Sequence, residues 1–364
     1  MNPTTRIPKD PAELTAAWLN GMLAGTLAPV SGVAVRGVAR PGAMSDAYRL
    51  SLRYAPSSAE GERPSTLIVK LSTLNAAMRT RPATRAGVEK EVRFYTELAP
   101  GSGLPVPRCF HAEADAVAGW HVLVLEDAAP AVQRAAEDGC SRAEAELAVT
   151  ALARLHAGWW NRARLDELAW LPRAEPLEAG DAAERHRAWW PAFRDQTAGL
   201  LPAEMLTFGD AYAEAFPRLM NDLLFALPRT LRHGDYSLAN LFFASSEGGS
   251  FRIIDWQMLG RGKGAWDLAW FLGQSLSVSQ RRAWEMALIA TYLDTLRAAG
   301  VDGYDTAECL RDYRCAIAQR FGTLISSLVA LPFTAAQKET IRRVQLPRNV
   351  AAIRDHGGLS LLEG

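Results

Sequence analysis

The segment Leu231-Arg-His-Gly-Asp-Tyr-Ser-Leu-Ala-Asn-Leu-Phe-Phe243 places Asp235 five residues before Asn240 and then runs into apolar residues. Fifteen residues after Asn240, a second apolar run, Ile253-Ile254, ends in Asp255. These residue types in this order fit phosphoryl transfer. The transferred group carries spread negative charge, so catalysis is mainly alignment plus metal charge, with one carboxylate to orient and deprotonate the attacking hydroxyl. A second carboxylate at a strand end can bridge magnesium to the β- and γ-phosphates of ATP. An Asn amide oxygen completes the metal shell without adding negative charge. Asp235 is therefore expected as the base, and Asn240 and Asp255 as metal ligands. The plain alternative is a loop and hairpin in which the same Asp and Asn serve as turn and capping residues.

Such a reaction needs a cation on the nucleotide phosphates, and the upstream sequence offers one. Leu67 to Leu71 reads as a short apolar strand ending in Lys70, and Val88 to Leu98 as a helix with Val88, Val92, Tyr95 and Leu98 on one face. Glu91 on that helix can hold Lys70 by an ion pair. Glu89 is the rival, about 200° round the helix, so only one of them can face the strand. Glu91 is preferred because it adjoins the apolar face. Without the downstream motif, Lys70 would read as a strand-end lysine reaching for water. Pro41-Gly-Ala-Met-Ser-Asp46 is a glycine-poor loop that could cover phosphates with backbone N–H groups and the Ser45 hydroxyl. Val122 to Asp127 closes this lobe as a hinge, where Glu126 could present its backbone to an adenine edge.

The elements positioning these residues fall into two regions. Residues 10 to 25 carry Leu14, Trp18, Met22 and Leu23 at helical spacing. Strands are expected over Val33 to Val38 and, from strict alternation, over Tyr48 to Tyr54, with Pro56 to Ser65 as an exposed loop. Arg108 to Ala114 and Trp120 to Glu126 read as a hairpin. After Asp127 the pattern turns helical. Ser141 and Glu144 form a capping-box signature, with a helix running to about Trp160. The exception is a hairpin of Leu241 to Ala244 and Phe251 to Ile254. The predicted fold is α+β: a β-rich lobe with a leading helix over 1–127, and a mostly helical lobe with the catalytic loop and substrate site over 128–364.

The chain has 364 residues, 49% apolar and 22% charged, which suits two lobes with a substantial core. Forty basic residues balance forty acidic ones, giving no general field for nucleic acid or an anionic membrane. Met1 to Pro11 does not read as a signal peptide, and no stretch of 18 apolar residues offers a membrane span. Cys109, Cys140, Cys309 and Cys315 match no zinc spacing and read as free thiols of a reducing cytoplasm.

Taken in order, these pieces resemble the aminoglycoside phosphotransferase and choline kinase superfamily, relatives of protein kinases, with the closest look to its ecdysteroid-kinase-like branch. The resemblance rests on Leu67 to Leu71, Glu91 to Tyr95, Val124 to Asp127, Leu152 to Ala157, His233 to Asn240, Ile254 to Gln257, Gly260, Gly264 and Asp267-Leu-Ala-Trp-Phe271. It implies a bilobal protein-kinase-like fold, use of ATP with Mg2+, and Asp235, Asn240, Asp255 and Lys70 in the roles given above. It further implies that His233 orients the catalytic loop and that Asp267 braces it; as a residue type alone, Asp267 could equally be a helix N-cap. His156 reads as a helix-packing residue, since no second ligand lies one helical turn away. Asp255-Trp256-Gln257 stands where protein kinases carry Asp-Phe-Gly, and no Ala-Pro-Glu follows, which argues against a protein substrate. The expected partner is a small-molecule alcohol. The aromatic-rich stretch from Trp159 to Phe225, with Trp189 and Trp190 as candidate wall residues, favours an apolar or weakly charged one. Choline, amino-alcohol or aminoglycoside acceptors are the alternative. A pseudokinase that binds nucleotide without turnover would be expected to lack one of Lys70, Asp235, Asn240 and Asp255.

Overall fold

The computed structural model describes residues 7–37, 44–56, 60–115, 117–171 and 179–363. It divides into two compact units: residues 1–132 with 242–259, and residues 133–241 with 260–364. A single cut after Asp127 does not capture this division, because the segment Phe242–Leu259 groups with the first unit.

The first unit is built on an antiparallel five-stranded sheet. Its strands are β1 (Val30–Gly37), β2 (Ser45–Tyr54), β3 (Thr66–Ser72), β4 (Cys109–Asp115) and β5 (Trp120–Glu126), in the order β1-β2-β3-β5-β4. Alternation decides its faces. Leu67, Val69 and Leu71 of β3 join Leu50, Leu52, Val122 and Val124 in a buried cluster, together with Leu14, Leu19 and Leu23 from the leading segment. That segment is not one helix from residue 10. A short turn, Pro11–Glu13, precedes the helix Ala16–Met22, which Thr15 caps by accepting from the Trp18 N–H. β2 begins three residues before the expected Tyr48, at Ser45. Of the proposed phosphate loop, residues 41–43 lie outside the described residues.

The helix Pro82–Arg93 starts with proline at its first turn, where a missing N–H costs nothing, and continues into a wider turn over Phe94–Leu98. Its buried residues are Thr84, Gly87, Val88, Glu91 and Val92, one stripe at three- and four-residue spacing.

The second unit is helical. Ser141 and Glu144 make the capping box, each side chain bonding the other's backbone, and open the helix Arg142–Trp159. The helices Ala179–Gln196, Ala203–Phe225, Ala265–Ser275, Val278–Ala298, Thr306–Val329 and Leu346–Asp355 follow. A two-stranded ribbon pairs Thr230–Arg232 with Gly260–Gly262, register Arg232 to Gly260, and leads directly into the loop His233–Asn240. Together these features form the bilobal protein-kinase-like α+β fold, with an antiparallel sheet in one lobe and helices in the other.

Candidate active site

In the first unit, alternation along β3 turns Lys70 to the face opposite Leu67, Val69 and Leu71. Its Nζ donates to both Glu91 carboxylate oxygens at 2.7 and 2.8 Å and to Asp255 Oδ1 at 3.1 Å. Burial alone would lower the Lys70 pKa, but Asp255 and Glu91 more than compensate, so it lies above the ordinary lysine value and the ammonium stays charged. Glu91 is fully buried. Burial works against its ionisation, yet it accepts from Lys70, from the Trp256 backbone N–H at 3.3 Å and from Gln257 Nε2 at 3.1 Å. That many donors on one carboxylate call for its ionised form. Glu89, the rival, instead pairs with Arg93 at 3.0 Å on the exposed side of the helix.

Gln257 was not singled out from sequence, and it links two residues that were. Its Nε2 donates to Glu91 and also to Ser45 Oγ at 2.9 Å. Ser45 is therefore not a loop hydroxyl laid over phosphates. It opens β2, is buried, and is paired with Ser72 across the ladder, because an inward-facing strand position leaves it no route to solvent. Gly87 allows this approach: a Cβ there would lie 3.2 Å from the Gln257 carbonyl oxygen and 3.1 Å from Met44 Sδ. Trp256 stacks on Phe94 at 3.7 Å between ring centroids and 11° between planes, tying the Asp255 segment to the Lys70–Glu91 helix. Asp255 itself is in the left-handed region, φ 66° and ψ 69°, which Asp and Asn tolerate better than most residues. Glu126 ends β5. Its backbone N–H donates to the Arg108 carbonyl, which removes it from the donors available to a nucleobase. Its carboxylate binds the Arg108 N–H and Arg252.

The second unit carries the loop His233–Asn240. Asn240 Nδ2 donates to the Asp235 carbonyl at 2.8 Å and to Asp235 Oδ2 at 3.0 Å. These bonds fix the amide, leaving its Oδ1 as the oxygen that can face a cation. Asp267 braces the loop from the first turn of the helix Ala265–Ser275: its carboxylate accepts from the His233 N–H at 2.7 Å and the Gly234 N–H at 2.8 Å. It is not the helix N-cap, a position held by Gly264. Burial would raise the Asp267 pKa, but His156, Arg232 and His233 outweigh it and hold it below the ordinary value. His156 does more than pack. Its ring bridges Asp267 Oδ2 at 3.2 Å and the Tyr292 hydroxyl at 2.8 Å. Gly234, at φ 86°, supplies the turn that aims both N–H groups at one carboxylate. His233 is buried, with Nδ1 3.3 Å from the Asp235 N–H, in an orienting position.

The two candidate wall residues separate. Trp190 is buried, packs on Phe193 and Phe321, and donates to Asp210 at 2.7 Å. Its ring lies so close over Gly209 that any Cβ there would collide with it. It is a helix-packing residue, as are Phe193, Phe208 and Tyr212, which are also buried. Trp189 is half-buried, edge-on to His186 at 5.7 Å. Adjacent helical residues point about 100° apart, which is why one is core and the other is not.

The Lys70 pairing gives a direct prediction. A double-mutant cycle of Lys70→Ala with Glu91→Ala on nucleotide turnover should show coupling of about 1–3 kcal/mol, against under about 0.5 kcal/mol with Glu89→Ala. Equal coupling to both would break the assignment.

The same layout is found in known proteins. A candidate aminoglycoside phosphotransferase from Ralstonia eutropha matches 98% of this chain and 99% of its own at 16% identity, with TM-score 0.54. A microcompartment-associated aminopropanol kinase matches 90% of this chain and 94% of its own at 14% identity, TM-score 0.53. Amicoumacin kinase, solved with AMP-PNP, Ca2+ and its ligand, matches 89% of each chain at 14% identity, TM-score 0.50. At these identities the likeness concerns the fold. No curated protein sequence matches. The match at family level is to the family as a whole and does not single out the ecdysteroid-kinase-like branch. The model of the phosphotransferase enzyme family covers residues 59–310, more than half of the sequence and including every candidate catalytic residue, so the chain belongs to that family.

Proposed function

We propose that this protein is an ATP-dependent small-molecule kinase that moves the γ-phosphate to a hydroxyl of an apolar or weakly charged alcohol. The observation that carries the reading is the completeness of the parts. Lys70 is held charged by Glu91 beside Asp255 in one unit, and Asp235 is held by Asn240 on a braced loop in the other. A nucleotide-binding pseudokinase needs none of this upkeep. Lys70 contacts the nucleotide phosphates, Asp235 takes the proton of the acceptor hydroxyl, and His233, Asp267 and His156 keep the loop in shape.

The residues present fit Mg2+. Asp255 is partly exposed with one oxygen on Lys70, and Asn240 keeps its amide oxygen for a cation. The bound ion would supply positive charge to the phosphates as they lose the transferred group. No helix among the described residues is long and apolar enough to cross a membrane. The four cysteines are free thiols, the form kept in a reducing cytoplasm, which is the location proposed.

The acceptor class is argued from charge. Kinases acting on polycationic aminoglycosides must match a buried polycation with opposite charge. Here the Arg320 guanidinium lies on the ring of Trp270, whose indole N–H donates to Asp235, so positive charge already stands near the proposed base. Kanamycin-like polyamines should therefore be poor acceptors. Trp189→Ala should raise the acceptor KM with little change in nucleotide affinity. Trp190→Ala should instead lower stability by about 3–5 kcal/mol, as expected for removing a core Trp, seen as an earlier thermal transition. Efficient phosphorylation of a polyamine would overturn the acceptor class but not the kinase reading. The function itself is tested by incubating diverse alcohols with ATP and Mg2+ and weighing products by mass spectrometry. Absence of any nucleotide-dependent phosphate adduct, or adducts that persist in Asp235→Asn, would refute it.

A further inference from the structure

Asp235 has a third neighbour that the catalytic motif does not contain. Trp270, on the helix Ala265–Ser275, donates its indole N–H to Asp235 Oδ1 at 2.8 Å. The indole is itself fixed. The Arg320 guanidinium, from the helix Thr306–Val329, stacks on its ring with the central carbon 3.6 Å from the centroid. Trp266, one helical turn earlier, lies parallel to it at 6.4 Å and 8°, with the Arg232 guanidinium 4.3 Å over its own ring. Arg320 is buried, bonds Gln345 through Nη2 at 2.8 Å, and has no hydrogen-bond partner at Nε among the described residues. Burial pulls its pKa down to about 9, with Asp235 opposing, so it is still cationic at neutral pH.

A buried cation held by a neutral amide and an indole face is costly, so its place calls for a reason. A cation over an indole face draws electron density from the ring and makes the N–H a stronger donor. The N–H then meets the carboxylate of the proposed base. Asn240 holds the other oxygen, Oδ2. Each carboxylate oxygen keeps further lone-pair capacity for the acceptor hydroxyl.

We propose that Trp270, with Arg320 stacked on its ring, is a positioning residue for phosphoryl transfer: its indole N–H fixes Oδ1 of Asp235 so that the carboxylate meets the acceptor in one orientation. This rests on the kinase reading above. Trp270 touches the base and not the reacting atoms, so its removal should show in kcat and leave nucleotide binding alone. Sequence alone gave no sign of it, because Arg320 lies 50 residues beyond Trp270 and 85 beyond Asp235.

The test uses the full chain with Mg2+ and ATP, with water as the acceptor and ADP release as the signal. Trp270→Phe keeps an aromatic ring under Arg320 but removes the N–H. It should lower kcat about 10- to 100-fold, the usual cost of a misaligned catalytic group, with nucleotide KM within about twofold. Arg320→Met should lower kcat in the same direction, about 3- to 10-fold, and Arg320→Lys should recover part of the loss. Proton–nitrogen NMR of protein labelled at tryptophan gives a readout that needs no turnover. The Trp270 indole N–H should resonate at low field and move upfield in both Asp235→Asn and Arg320→Met. A kcat within twofold of wild type in a folded Trp270→Phe, or an indole resonance indifferent to Asp235→Asn, would overturn the proposal while leaving the kinase reading intact. A wild type that turned over no nucleotide with water or any alcohol would overturn the kinase reading, and the positioning role with it, even if the indole resonance still responded to Asp235.

Discussion

Asp235→Asn is expected to lower kcat by about 10²- to 10⁴-fold, the range that a positioned general base contributes, while nucleotide affinity changes by less than about threefold. The division of labour explains the split. In the proposed mechanism Asp235 would face the incoming hydroxyl, while Lys70 and Asp255 would serve the nucleotide. The substitution is conservative in structure. Asn can still accept from the Trp270 indole at the Oδ1 position. The bond from Asn240 Nδ2 to Oδ2 is lost where an amide NH2 takes its place, but the bond from Asn240 to the residue's own carbonyl remains. The loop does not depend on Asp235 for its shape, since Asp267 holds the His233 and Gly234 N–H groups. Steady-state kinetics with calorimetric AMP-PNP binding would measure both effects. Near-normal kcat in a folded variant would mean that the base lies elsewhere.

Asp255→Asn should act on a different step. Removing the carboxylate should weaken Mg2+-dependent nucleotide binding and reduce kcat by about 10²- to 10³-fold, the scale seen when one preorganised electrostatic contact to the reacting phosphates is lost. Asn is the informative replacement because the backbone here is left-handed, φ 66°, which Asn accepts and a β-branched residue would not. Lys70 keeps both bonds to Glu91, so its charge survives the change and the loss can be assigned to the metal contact. Raising Mg2+ should recover part of the nucleotide affinity in Asp255→Asn and none of the turnover in Asp235→Asn. If nucleotide binding in Asp255→Asn were independent of Mg2+ and equal to wild type, the metal role of Asp255 would be excluded.

Contacts between residues close along the chain were legible in the sequence. Asp235 and Asn240 lie on one loop, and their spacing alone brings the amide to the carboxylate. Ser141 and Glu144 cap one helix turn, whereas Lys70, read as ending its strand, lies inside β3, which runs to Ser72. Each pair is a local matter of backbone period and hydrogen-bond reach, and periodicity reports it. The choice between Glu91 and Glu89 was half legible: the apolar stripe pointed to Glu91, but only the packed helix shows Glu89 taken up by Arg93. Other features were decided by the tertiary structure alone. Ser45 moved from an exposed loop to a buried strand start because the ladder with β3 extends three residues further than alternation suggested. Trp190 became core and Trp189 did not, since composition cannot say which side of a helix meets Gly209. Gln257 and His156 gained partners more than 100 residues away, through bonds from Gln257 to Glu91 and from His156 to Asp267 and Tyr292, and Trp270 and Arg320 meet across 50 residues. Side chains that act across the chain carry no periodic signal, because their spacing is set by how elements pack and not by the turn of any one of them.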